Sequence, residues 1–187
     1  MSASTGFQLV IMGVSGCGKS TFAKAISQAL HLSFMDGDDL HSPHSVSKMQ
    51  AGIALEDSDR WPWLDRIGSY LAKPLDSHSS DRGRVVACSA LKLAYRNHIR
   101  RLVPAARFIF LDGDIELIRS RMAARAGHFM QLGLLESQLH TLERPTAQEP
   151  DVLKVNTALT IEELLATVIP TLQAEKLSDF PNDLQAH

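Results

Sequence analysis

An α/β fold, with helices on both faces of a parallel sheet, is what this sequence of 187 residues predicts. Short apolar runs rich in β-branched residues alternate with stretches of helical periodicity from one end to the other. The runs are apolar throughout, as in strands buried on both sides, where a half-exposed strand would alternate. With 44% hydrophobic and 21% charged residues, the chain has ordinary globular proportions. Its length suits a single domain, 1–187.

The first strand is expected at 7–12 (FQLVIM), where glycines stop it, and the first helix at 21–30. A short strand at 34–35 ends at Asp36-Gly37-Asp38. Helical spacing marks 45–51 and 63–72, with Asp57 and Asp59 available near the second start. The third strand is read at 84–89 and a helix at 90–102, which Pro104 ends. The fourth strand, 107–111, precedes an arginine-rich helix at 115–126 that stops at Gly127, and a further helical stretch covers 134–142. A fifth strand at 152–155 leads to a closing helix at 161–174, with Thr160 as N-cap and Glu163 three residues on. Residues 177–187 are expected to fray.

A formal net charge of −2 gives no basic excess for a nucleic-acid backbone, so no nucleic-acid partner is expected. No run approaches the ~18–20 apolar residues that cross a bilayer, and no basic leader precedes the first strand. A cytoplasmic location without membrane contact follows as the expectation. Cys17 and Cys88 belong to no metal-ligand spacing and are read as reduced, packed thiols. The eight histidines are scattered without zinc-type spacing.

The sharpest motif is Gly13-Val14-Ser15-Gly16-Cys17-Gly18-Lys19-Ser20, a full G-x-x-x-x-G-K-[ST] between a predicted strand and a predicted helix. Its glycines let the backbone wrap phosphates and turn N–H groups inward, and the helix beginning near Lys19 adds its positive end. Lys19 is placed to reach the β- and γ-phosphates, and the Ser20 hydroxyl to ligate Mg²⁺. Thr21 follows as a further nucleotide contact. A nucleotide with Mg²⁺ is therefore expected at this loop.

Asp36-Gly37-Asp38-Asp39-Leu40-His41 follows the second strand, at the sheet end where α/β proteins bind ligands. In an extended segment Asp36 and Asp38 would face the same way. One of the two carboxylates would then stand near Mg²⁺, and the other would orient an acceptor hydroxyl and take its proton. Alone, the same residues also read as a solvated turn. Asp59-Arg60-Trp61-Pro62-Trp63-Leu64 suggests a guanidinium held rigidly for a carboxylate, and equally a helix start with aromatic packing. Lys92, after the third strand, is a candidate acceptor contact or an ordinary surface lysine. Arg119, Arg121 and Arg125 share one predicted helix, Arg121 and Arg125 on one face. The Gly127-His128-Phe129-Met130 that follows reads as a hinge and lid.

With these residues in view, the chain resembles the gluconokinases, small P-loop kinases related to shikimate kinase and the nucleoside monophosphate kinases. The likeness is carried by GVSGCGKS (13–20), DGDDLH (36–41), KMQAGIAL (48–55), DSDRWPWL (57–64), CSALKLAYR (88–96), RAGHFM (125–130) and LLESQLHTLERP (134–145). It implies the P-loop kinase fold with a five-stranded parallel sheet, a short lid around 126–133 and a homodimer. It implies ATP-dependent phosphorylation of D-gluconate to 6-phospho-D-gluconate. By the same resemblance Lys19, Asp38 and Arg125 are catalytic and Arg121 stacks on adenine. Asp38, His41, Arg60, Lys92 and His128 contact the acceptor, and Ser20 and Asp36 hold the metal. The chain departs from the family pattern at Cys17, Ser42, Ser45 and Ala54. A related kinase for shikimate or another small acid shares the P-loop and acidic pair and is the first alternative. A nucleotide switch without an acceptor is the second, but no water-orienting residue with mobile switch loops is visible.

Overall fold

The structure, a computed structural model, describes residues 6–76, 78–123 and 128–178. Five strands form one parallel sheet in the order β2-β3-β1-β4-β5. They are β1 Phe7–Met12, β2 Ser33–Asp36, β3 Gly83–Ala87, β4 Arg107–Asp112 and β5 Val152–Asn156. Among the described residues, seven α-helices connect and cover them. These are α1 Lys19–Leu30, α2 Pro43–Gln50, α3 Asp57–Ala72, α4 Leu93–Leu102, α5 Ile115–Ala123, α6 His128–Thr141 and α7 Ile161–Ser178, with a 3₁₀ turn at Gly37–Leu40.

β1 shows why the runs are apolar throughout. Leu9 and Ile11 point into one core, with Phe22 and Ile26 of α1 and Val168 of α7. Val10 and Met12 point into the other, with Trp63 and Ile67 of α3 and Tyr95 and Ile99 of α4. Each large side chain so buried contributes about 1.5–3 kcal/mol. The chain passes from β1 to β2 and β3 on one side and to β4 on the other. The sheet's carboxyl end beside β1 is therefore a topological switch point, where such folds open a crevice.

Element boundaries differ from the sequence reading where tertiary contacts decide. α3 begins at Asp57, six residues before the expected 63, because Glu56 and Asp59 close a capping box. Pro62 stays inside that helix and forfeits only the bond to the Ser58 carbonyl. α4 begins at Leu93 and not at 90, because Ala90 adopts a left-handed φ of 42° that ends helical continuity. Thr160 caps α7 as expected: its hydroxyl accepts from Glu163 N at 3.2 Å, and Glu163 Oε2 accepts from Thr160 N at 2.8 Å. Residues 177 and 178, expected to fray, continue α7, and 179–187 lie outside the described residues. Of the lid expected over 126–133, residues 128–133 belong to α6 and 126–127 lie outside the described residues.

Candidate active site

The loop from Gly13 to Ser20 joins β1 to α1 at the switch point. Gly16 has φ 79°, and a Cβ there would lie 2.4 Å from Cγ of Met122, so only glycine lets α5 pack onto the loop. Lys19 opens α1, and its Nζ donates to the Val14 carbonyl at 2.9 Å, folding the ammonium back over the loop. Cys17 is buried, and burial pushes its thiol up. Cys88, fully buried, is pushed up to about 12. Both thiols stay protonated, as reduced packing groups should.

The Ser20 hydroxyl donates to Asp36 Oδ2 at 2.7 Å, so the two sequence-assigned metal residues already touch. Asp36 and Asp38 do come together, but not as neighbours in an extended segment. Asp36 caps the 3₁₀ turn, and its Oδ1 accepts from Asp38 N at 3.2 Å. Gly37 is needed at the turn because a Cβ would lie 2.4 Å from the Ala87 carbonyl oxygen. Asp38 opens to solvent through the cleft while protein hems it in. That desolvation, then the Asp36 charge, raise its pKa against the pull of Lys19.

α3 holds this turn from below. The Trp63 indole donates to the Gly37 carbonyl at 2.6 Å, and Arg66 Nε donates to the Leu40 carbonyl at 2.6 Å. His41 stacks on Trp63 with centroids 4.4 Å apart and planes 11° apart. Burial first, then Arg60 and Arg66, lower the His41 pKa to about 4, so the imidazole is neutral. Its Nδ1, like Nη2 of Arg66, is buried without a hydrogen-bond partner among the described residues. Two polar groups are thus left for a ligand or water to satisfy.

Arg60 reaches the Leu55 carbonyl at 3.4 Å, lies 5.7 Å from the Tyr95 ring centroid and has no carboxylate partner among the described residues. Lys92 differs: it grips both Asp57 oxygens, at 2.7 and 2.9 Å, and Tyr95 OH donates to the same carboxylate at 2.5 Å. Those bonds, Lys92 first, draw the Asp57 pKa down. Lys92 is therefore a committed cation and Arg60 an available one.

On the other side of the P-loop, a cavity of about 440 Å³ is lined by Gly16, Cys17, Gly18, Thr21, Phe22, Leu111, Arg121 and the 157–164 segment after β5. Arg121 thus stands beside the P-loop. Arg125 lies outside the described residues, and His128 is described only as the first residue of α6. Lys19, Asp38, His41, Arg60 and Lys92 all gather at the sheet's carboxyl end. The sequence reading named Trp63 only as aromatic packing beside Arg60 and missed Arg66, whose three-residue spacing from Trp63 on one helix face was the available signal. It named Asp57 only near a helix start and missed the 157–161 segment, where no local pattern exists.

Ser42 and Ser45, two departures from the family pattern, prove to be one structural unit. Ser42 Oγ accepts from Ser45 N at 3.1 Å and lies 2.9 Å from Ser45 Oγ, capping α2.

The family model described as Shikimate kinase matches residues 15–173. The thermosensitive gluconokinase of Escherichia coli (strain K12) is 42% identical over 153 residues, covering 81% of this chain and 79% of its own. The thermoresistant gluconokinase of that strain is 39% identical over 167 residues, covering 89% and 94%. A crystal structure of a gluconokinase from Sinorhizobium meliloti 1021 superposes with a TM-score of 0.80 at 40% identity, covering 92% of this chain and 94% of that one. Five parallel strands, a phosphate cradle and an acidic turn facing it define a P-loop phosphotransferase. The chain belongs to the gluconokinase family, within the wider group that the shikimate kinase model describes. It is a nucleotide-binding kinase of gluconate metabolism.

Proposed function

We propose that the chain transfers the γ-phosphoryl group of ATP to the 6-hydroxyl of D-gluconate, with the residue roles that follow. The observation that carries this reading is the Asp38 carboxyl, raised in pKa, on the same sheet end as Lys19 and the P-loop. A base poised this way orients an acceptor hydroxyl and accepts its proton. Arg60, free of carboxylate partners among the described residues, pairs with the gluconate carboxylate. His41 Nδ1 and Arg66 Nη2 meet hydroxyls of the sugar chain. Lys92 orders the pocket through Asp57 and Tyr95.

Lys19 leaves the Val14 carbonyl to bind the β- and γ-phosphates, which the loop amides not already bonded within the protein cradle. Arg121 and the 157–161 segment enclose the adenine. No cluster of three acidic, histidine or cysteine ligands exists among the described residues. Ser20 and Asp36 supply two hard oxygens, which suits Mg²⁺ arriving with the nucleotide. Mg²⁺ would neutralise charge on the transferring group. By family resemblance Arg125 approaches the phosphates and His128 contacts the acceptor. A homodimer in the cytoplasm completes the reading, which fits with no described helix being long and apolar enough to cross a membrane.

ADP release from Mg-ATP by the purified protein, with D-gluconate, shikimate, other aldonates or no acceptor, tests the reading. Strong stimulation by gluconate alone is expected. Stimulation by another acid alone would overturn the substrate.

A further inference from the structure

α6 and the residues that follow it together touch both halves of the site. Gln138, half-buried in the last turn of α6, reaches the P-loop, where the Ser15 N–H donates to Gln138 Oε1 at 2.6 Å. A backbone N–H can only donate, so the carboxamide oxygen faces the loop and Nε2 faces away. Five residues on, the chain leaves α6 and docks on the loop after β3. The Glu143 N–H donates to the Leu91 carbonyl at 2.9 Å, and Glu143 Oε2 accepts from the Leu93 N–H at 2.6 Å. Fully buried Leu135 ties the same helix into the core that also holds Val14, Cys17, Ile118 and Met122.

The segment from 138 to 143 therefore bridges the phosphate loop and the loop that presents Lys92. Nothing in the roles assigned above uses either contact. We infer that Gln138 is a positioning residue that registers the P-loop against the acceptor loop through α6, so that nucleotide and sugar acid bind cooperatively. The inference rests on the gluconate kinase reading of this site. A phosphoryl transfer is sensitive to such registry, because small misplacements of donor and acceptor cost large factors in rate. Two sites sharing one rigid element also influence each other's affinity reciprocally.

The test measures binding of a non-hydrolysable ATP analogue with Mg²⁺, with and without saturating D-gluconate, beside steady-state turnover. In the unaltered protein gluconate should tighten the analogue by about fivefold or more. Gln138→Met removes the acceptor at constant length. It should bring that factor to within about twofold of none and lower kcat by ~10-fold. The analogue's affinity without gluconate should stay within about threefold of the unaltered value, which a merely destabilised P-loop would not allow. Glu143→Ala should reproduce the loss, and Glu143→Gln, which keeps an accepting oxygen, should restore the coupling. If Gln138→Met does not fold, this Glu143 pair decides the matter, because its side chain is exposed. Unchanged coupling and kcat in Gln138→Met or in Glu143→Ala would overturn the inference, as would an active unaltered protein with no coupling. An unaltered protein that does not turn over gluconate would sink the substrate reading instead.

Discussion

Asp38 and His41 sit three residues apart on one turn, yet their environments push them in opposite directions. The Asp38 carboxyl is raised by desolvation and by Asp36, so as a base it loses its charge at a higher pH than an ordinary carboxyl. The acid limb of kcat/KM, which reports the free enzyme, should therefore lie above the usual carboxylate range. Asp38→Asn should cut kcat by about 10²–10⁴ and abolish that limb in the residual activity. An Asn variant with near-normal turnover would remove the base assignment. His41, lowered to about 4 from an ordinary value near 6.5, resists protonation in the fold. Between those values the unfolded chain binds the extra proton and the native chain does not. Stability is then complete above pH ~6.5 and is lost as pH falls towards 4. Allowing for partial exposure, the loss by pH 5 is about 1–2 kcal/mol. In urea titrations at pH 7 and 5, His41→Asn should lose less stability than the unaltered protein by that amount. Equal losses would mean that His41 is already protonated or solvated.

Most elements were legible because their cause is local. The three central strands, β3, β1 and β4, announce themselves by being buried on both faces, and α7 by its capping box. What stayed hidden depends on contacts between distant residues. Ala90 takes a left-handed φ because Arg96, itself 1% exposed, pulls the loop after β3 around its guanidinium. Arg96 Nη1 donates to the Ala90 and Leu91 carbonyls at 3.1 Å each, while Nε and Nη2 fork onto Glu149 at 2.7 and 2.8 Å. No spacing rule links residues 96 and 149. The P-loop was fully legible as a motif, whereas the commitment of Lys92 to Asp57 joins residues 35 apart and was not. Arg96→Met should cost about 3–5 kcal/mol, because it leaves the buried Glu149 carboxylate with only Arg100. Arg96→Lys should recover little, since an ammonium cannot reproduce the fork. Urea midpoints read both variants, and a loss below about 1 kcal/mol for Arg96→Met would show the network to be dispensable.

Ligands bound at the switch point hold β1, the 3₁₀ turn and α1 together, so their effect should extend to the stability of the entire chain. Binding to the native state alone stabilises by RT ln(1 + [L]/Kd), about 2.7 kcal/mol at a hundredfold excess over Kd. For a chain of 187 residues each kcal/mol shifts Tm by roughly 2–4 °C, so saturating Mg-ATP should raise Tm by about 5–10 °C. The Ser20–Asp36 contact makes a further demand on this experiment. If that pair receives Mg²⁺ together with the phosphates, chelating the metal with EDTA should remove most of the shift at the same ATP concentration. Asp36→Asn should weaken the Mg²⁺-dependent part more than the remainder, because an amide keeps the Ser20 contact but not the charge. A shift that survives EDTA undiminished would place nucleotide binding on the P-loop amides and Lys19 alone, and would remove Ser20 and Asp36 from the metal.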